Sequence, residues 1–285
     1  MENDFAETKY GNFVRIPIGN FTMGNDKTYT SYFGKKRRER PQSRKAHRVK
    51  ISNEFAVLET PVTVSQYKLF VTETNKTTKH IHYKYLANKF ELKKWYMTDK
   101  LVNSSKPKWK ETELQKLIID QKFAAYPIVG LSYYDCLEYC EWLSVKLNST
   151  IRLLTEAEWE YCCRANEEGV FYWGNDIRKV LENSWCCLNS ELEIQEVKKL
   201  KPNNWGLYDM TGNIWEWCLC RYSQNFYKYS PLENSCCVNK NCKRFVIRGG
   251  SSFNKAETCR STHRFGLKPE VRSEYLGFRI LMELK

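Results

Sequence analysis

Four compact signatures follow one another through the second half of the chain, and they limit what it can fold into. They are Arg152-Leu153-Leu154-Thr155-Glu156-Ala157-Glu158-Trp159-Glu160, Gly206-Leu207-Tyr208-Asp209-Met210-Thr211-Gly212-Asn213-Ile214-Trp215-Glu216-Trp217, Arg248-Gly249-Gly250-Ser251 and Leu276-Gly277-Phe278-Arg279. The first opens a short helix, because Thr155 with Glu158 three residues on makes a capping box. From residue 170 onward, glycine, asparagine and proline recur often enough to leave room only for short strands between turns. Nine Trp and eighteen Tyr, within an aromatic content of 14%, suit a loop-rich α+β protein whose core is built from large rings.

The first half is less uniform. Residues 11–24 alternate apolar and polar around a Pro-x-Gly turn, which predicts a hairpin. Residues 25–47 are polar and charged and read as a loop, and Val49 to Glu59 alternates again. Thr63 is placed to cap a helix that sets Tyr67, Phe70 and Val71 on one face. Residues 72–125 are Lys-rich with scattered aromatics, and read as an elaborated loop region with short helices. Pro127 to Leu131 is strand-like, and Ser132 caps a helix carrying Tyr133, Cys136, Leu137, Cys140, Trp142, Leu143 and Leu147 at helical spacing. A strand closes the chain at 276–284. No internal repeat and no Gly/Ser linker occurs, so 1–285 reads as one domain, which is long for one but within range.

Lys plus Arg number 46 against 33 acidic residues, for a net charge of +13. Much of the excess lies between Lys35 and Lys50, a solvated basic loop or a patch for nucleic acid or another polyanion. The first residues carry no basic segment leading into an apolar one, and no apolar run approaches bilayer length. A cytoplasmic protein without membrane insertion is the expectation, with its twelve Cys mostly reduced.

The ordered signatures, with Ile16-Pro17-x-Gly19-x-Phe21-x-Met23-Gly24, Glu59-Thr60-Pro61-Val62-Thr63 and Tyr126-Pro127-Ile128-Val129 before them, resemble the formylglycine-generating enzyme, or sulfatase-modifying factor, family. Leu154 stands where that family usually has proline. The resemblance covers nearly the whole chain and implies a C-type-lectin-like variant of the α+β class.

It also implies sites. Asp209-x-x-Gly212-x-Ile214-x-Glu216 matches a structural calcium site, held by the two carboxylates and by the carbonyls of Gly212 and Ile214. The alternative is a turn in which Asp209 and Glu216 cap backbone amides. A second calcium site would use Asn183 and the Ser184 carbonyl, but its Asp-x-Phe partner is absent from 188–202, so its loss is expected. The family's oxidase holds copper through two thiolates that follow the Gly-Gly-Ser. Counting from Gly249, the first position is Asn254 and the second Cys259. A neutral amide cannot replace a soft anionic sulfur, so copper is not expected. Cys259-Arg260-Ser261-Thr262-His263-Arg264 also resembles a segment of non-catalytic members, in which the cysteine is a small buried residue.

Other chemistry has weaker footing. Cys218, Cys220, Cys236, Cys237 and Cys242 lie close enough in sequence to hold zinc, but in no zinc-ribbon spacing. His47, His80, His82 and His263 are too scattered for a three-His iron site, although His80 and His82 could share a metal on one strand face. No Ser-His-Asp order, P-loop or Gly-x-Gly-x-x-Gly is present.

Two classes of function follow. The first is a recognition module for a protein or glycan, acting through Ser251, Phe253, His263, Phe265 and Tyr275 in the C-terminal loops. In the variable proteins of diversity-generating retroelements, which are similar, the span matching Ser252 to Leu276 is the diversified face. The second is a copper- or iron-dependent oxidoreductase that modifies a Cys or Ser in a protein or peptide. It would need a partner thiol for Cys259 from elsewhere, such as Cys242 or Cys220. The first is favoured.

Overall fold

The computed structural model describes residues 5–26, 28–38, 45–74 and 121–284. Most of the Lys-rich segment, with His80 and His82, and the middle of the basic loop lie outside the described residues. The strands are β1 (Phe5–Thr8), β2 (Gly11–Ile16), β3 (Gly19–Met23), β4 (Thr28–Thr30), β5 (Lys36–Arg38), β6 (His47–Ile51), β7 (Phe55–Leu58), β8 (Ile151–Leu153), β9 (Trp215–Arg221), β10 (Phe245–Arg248), β11 (Arg264–Leu267), β12 (Leu276–Phe278) and β13 (Ile280–Glu283). The helices are α1 (Val64–Thr74), α2 (Tyr133–Leu147), α3 (Glu156–Arg164) and α4 (Val180–Asn183).

A five-stranded sheet in the order β1-β2-β7-β13-β8 is apolar on both faces. Along β2, Phe13 packs with Tyr67, Phe70 and Tyr139 on the side of α1 and α2, while Val14 and Ile16 pack with Trp159 and Tyr161 of α3 on the other. Phe55-Ala56-Val57-Leu58 of β7 is buried throughout for the same reason, which is why a strand in an antiparallel sheet reads as a continuous apolar run. A second, four-stranded sheet runs β11-β10-β9-β12, with β12 parallel to β9.

The three expected helices form where their caps lie. Ser132 and Asp135 complete a capping box for α2, and Thr155 and Glu158 complete one for α3. At α1, Gln66 donates its backbone N–H to the Thr63 hydroxyl and returns its side-chain oxygen to the Thr63 N–H at 2.8 Å.

Two expected strand pairings form differently. The hairpin expected at residues 11–24 is absent: β2 is occupied on both edges by β1 and β7, so β3 leaves that sheet after Pro17 and pairs with β6. The single strand expected at 276–284 is two strands serving two sheets. β12 joins β9, whereas β13 inserts between β7 and β8. Arg279 stands at the crossing.

Candidate functional site

The four signatures meet in the interior. All nine residues of α3 are buried, and its inner face carries charge. Glu156 accepts from the Arg264 guanidinium at 2.5 and 2.7 Å and from the Tyr227 hydroxyl at 3.2 Å. Glu160 pairs with Arg248, accepts from Arg164 at 3.0 Å and takes the Gly24 N–H at 2.9 Å. The Arg248 guanidinium lies over the Trp159 ring, 5.0 Å from its centroid. The Trp159 indole donates to Glu216 at 2.7 Å, and Glu216 pairs with Arg279 at 3.1 Å. Arg279 also donates to the carbonyls of Leu58 at 3.0 Å and Tyr208 at 2.7 Å. Each signature supplies a member, and the charged groups face one another rather than solvent. Burial obliges that pairing.

The candidate calcium segment lies beside this network. Gly212 has a φ of +73°, and a Cβ there would stand 2.2 Å from the Trp185 carbonyl, so only glycine fits. Asp209 is buried and accepts the Lys198 N–H at 2.9 Å. Burial raises its carboxyl to about 6, against the pull of that hydrogen bond. The four residues fit a hard cation only in part. Both Glu216 oxygens are engaged by Arg279 and Trp159, which leaves Asp209 as the buried carboxylate without an ion-pair partner among the described residues. Asn183 ends α4, with its side chain donating to the Lys179 carbonyl at 2.8 Å and its carbonyl accepting from Tyr172. The Ser184 carbonyl accepts from Asn189 at 3.1 Å. Among the described residues, no group of three or more His, Cys, Asp or Glu is placed to hold a metal.

The C-terminal loop residues are mostly interior. Ser251, Phe253 and His263 are 1%, 8% and 4% exposed. Phe253 packs on Tyr275 at 5.3 Å, the Tyr275 hydroxyl donates to the Leu192 carbonyl at 3.0 Å, and the His263 ring lies 5.4 Å from Trp215. Phe265 is half-buried on β11 against the core. Lys255, Lys268 and Glu270 are the residues of this span that face outward, with Glu257 half-exposed. The Asn254 amide oxygen accepts from the Trp215 indole and from the Ser251 hydroxyl, both at 2.9 Å, so that side chain is fixed.

Cys259 is fully buried, and the thiol facing it is neither Cys242 nor Cys220 but Cys186. The two thiols share a hydrogen bond that, with burial, pushes Cys259 well above the ordinary thiol range and lowers Cys186. In the sequence Cys186 is half of a Cys-Cys doublet with no motif around it; a loop brings it here, with the Cys187 N–H donating to the Asn254 carbonyl at 2.9 Å.

Cys220 is unavailable because it is bonded to Cys236, and Cys237 contacts Cys242. That disulfide removes two of the five sulfurs that the zinc reading drew on. The other ten cysteines are free thiols. His47 packs edge-on against Tyr227 at 4.8 Å, and another neighbour of that ring is the Arg264 guanidinium, 4.5 Å from its centroid. No described helix is long and apolar enough to cross a membrane.

Comparison with known proteins places this geometry. Residues 2–284 match the family described as sulfatase-modifying factor enzyme 1-like domain. Among curated proteins the chain is similar to the serine/threonine-protein kinase pkn1 of Chlamydia pneumoniae, at 31% identity over 58% of this chain and 25% of that one. It is 32% identical to the formylglycine-generating enzyme of Streptomyces coelicolor, over 54% of this chain and 52% of that one. It is 30% identical to the inactive C-alpha-formylglycine-generating enzyme 2 of Bos taurus, over 54% and 49%. The chain thus spans about a quarter to a half of the length of these relatives. Its fold is shared by PvdO from Pseudomonas aeruginosa, with a TM-score of 0.77 at 23% identity over 99% of this chain and 98% of that one. It is shared too by Treponema denticola variable protein 1, with a TM-score of 0.69 at 19% identity over the full length of both. With one family description covering all but its terminal residues and the signatures interlocked as one core, the chain belongs to the sulfatase-modifying factor enzyme 1-like family.

Proposed function

We propose that this chain is a non-catalytic member of its family, a recognition module of the cytoplasm that meets a protein or glycan through its C-terminal loops. The observation that carries the reading is Asn254. It holds the place where the resemblance puts the first metal-binding thiolate, and its amide oxygen is already committed to Trp215 and Ser251. Cys259, the second place, is enclosed and held protonated by its surroundings. Likeness to an inactive relative, and to the fold of a variable protein, runs the same way.

The contact face suggested by the fold is the outward set Lys255, Glu257, Lys268 and Glu270, with Phe253, His263 and Tyr275 as its support from beneath. The basic loop adds a second feature: β4 and β5 form a hairpin whose Lys35, Lys36, Arg37 and Arg38 are exposed, with Phe33 exposed near its tip. That pattern suits an anionic partner such as nucleic acid. Capture on glycan arrays and on immobilised DNA and RNA separates the two. Lys255→Glu with Lys268→Glu is expected to abolish protein or glycan capture at least tenfold. Loss of binding on raising salt from 0.05 to 0.5 M, at roughly constant affinity for the double variant, would instead assign recognition to the hairpin.

A structural calcium at Asp209 belongs to this proposal, because a cation would offset the cost of its buried charge. Millimolar calcium is expected to raise the melting temperature relative to chelator, by about 2.7 kcal/mol of stabilisation at a hundredfold excess over the dissociation constant. Asp209→Asn, which keeps a residue tolerant of the local φ of +53°, removes the response. Equal melting with calcium and with chelator would refute the site.

The second reading, a copper- or iron-dependent oxidoreductase, draws on the Cys186–Cys259 contact, which gives Cys259 the thiol partner that reading requires.

A further inference from the structure

Cys186 and Cys259 are 73 positions apart, yet their surroundings are tied together at several points. The Cys187 N–H donates to the Asn254 carbonyl at 2.9 Å, and the Ser190 hydroxyl donates to the Ser252 carbonyl at 2.8 Å. Both cysteines belong to one buried cluster with Val170, Phe171, Ile177, Val180 and Ala256. Among the described residues the two sulfurs are enclosed by this apolar cluster, with the Ser184 hydroxyl at Cys259 and the Glu257 charge acting on Cys186.

We infer that Cys186 and Cys259 are a modification site: an oxidisable pair that small disulfides convert into a cross-link between the 186–190 loop and the 256–260 turn. The electron acceptor is a low-molecular-weight disulfide. The Cys186 thiolate attacks one sulfur of the acceptor, breaking its S–S bond and releasing one small thiol, which leaves a mixed disulfide on Cys186. Cys259, deprotonated in turn, attacks the Cys186 sulfur and expels the second small thiol. One Cys186–Cys259 bond forms, two thiol protons go to the two released thiols, and two electrons pass to the acceptor. The hydrogen bond from the Cys259 thiol to Cys186 makes Cys186 the attacking member, since it favours the thiolate there.

Access is controlled by the basic hairpin. Tyr29 and Tyr32, on β4 and in the turn after it, pack on the cluster that holds both sulfurs. The hairpin is fixed to the 256–260 turn by the Tyr32 N–H, which donates to Glu257 at 3.2 Å, and by Arg260, whose guanidinium lies 4.4 Å from the Tyr29 ring centroid. Strands of three residues open locally at small cost, so oxidation proceeds through hairpin opening and its rate levels off as the acceptor concentration rises.

The test uses the whole chain and oxidised glutathione. After incubation, free thiols are trapped with N-ethylmaleimide under denaturing conditions and disulfides are mapped by peptide mass. The expected product is a Cys186–Cys259 peptide pair, alongside Cys220–Cys236, with a rate that saturates in glutathione disulfide. Tyr29→Ala is expected to raise that rate at least tenfold without changing the product, and Cys187→Ser to leave both rate and product unchanged. Recovery of alkylated Cys186 and Cys259 from the wild type after full exposure to oxidant would overturn the inference. So would a stable glutathione adduct on Cys187 with the pair still reduced. Both readouts come from the unsubstituted protein, so they stand even if Cys259→Ser fails to fold, and they are independent of whether the C-terminal loops bind a partner.

Discussion

Replacing Arg279 with methionine is expected to destabilise the protein by about 3–5 kcal/mol, the usual cost of leaving one partner of a buried ion pair alone. Arg279 is 1% exposed and stands where the chain passes from β12 in one sheet to β13 in the other. Its guanidinium answers Glu216 from β9 and the carbonyls of Leu58 and Tyr208, so a single side chain joins both sheets to the 206–217 segment. Methionine keeps most of the volume and removes every donor. Three acceptors then lose a partner in the interior, one of them charged. Urea denaturation followed by tryptophan fluorescence gives the loss directly. Lysine is not expected to rescue, because a point charge cannot serve the carboxylate and two carbonyls together. A loss below about 1 kcal/mol would mean that the pair is ornamental.

The second large effect is expected at Glu160. It is wholly buried between Arg248 and Arg164, and it also accepts the Gly24 N–H. Burial opposes its ionisation, but the two guanidinium groups outweigh burial and hold its carboxyl below the ordinary range. Glu160→Gln is therefore expected to cost about 3–5 kcal/mol at neutral pH, because Arg164 loses its carboxylate in the interior and Arg248 keeps only Glu156, at 3.7 Å. The pH dependence follows from the sign of the shift. A carboxyl depressed in the folded state contributes stability that is fully present above its unfolded value near 4 and is lost as pH falls through the lower folded value. The difference between wild type and Glu160→Gln therefore shrinks as pH drops below about 4. Glu160→Met combined with Arg248→Met is expected to cost less than the sum of the two single variants, since it removes both members of that pair, while the loss at Arg164 remains. A double variant no better than the sum of the single ones would contradict the pairing.

These two predictions explain what was legible in the sequence. The signatures are the parts of the core that must recognise one another: Glu160 needs Arg248, Glu216 needs Arg279, and Trp159 bridges them. Residues bound by such mutual demands keep a recognisable order, so fold and family could be read from them. The helices were equally legible, because Ser132 and Thr155 announce their helices by local hydrogen bonding. Strand partners were not. Nothing local in residues 11–24 says that β2 will be filled on both edges and that β3 must look to β6. Nor does the alternation after Leu276 show that one strand is cut in two by Arg279.

The candidate site was legible only where a position could be counted from a signature. Asn254 and Cys259 follow from Gly249-Gly250-Ser251 by spacing, and the structure fixes Asn254 firmly. Cys186 could not be found that way, because a loop carries it to Cys259 across most of a hundred residues. Aromatic character can be read in two ways. Phe253 and His263 suggested a contact surface, but in a fold poor in long elements large rings are also what fills the space beneath loops.

The proposed loss of metal-thiolate chemistry turns on Asn254, which stands where the resemblance puts the first thiolate. The direct measurement is oxygen consumption by the full chain reconstituted with Cu(I), in the presence of a cysteine-containing peptide, with copper affinity measured by competition against a chelating dye. The prediction is no copper retained beyond what the chelator strips and no oxygen uptake above the protein-free rate. Tight uptake of one copper per chain, with oxygen consumed in proportion to peptide oxidised and abolished by Cys259→Ser, would contradict it.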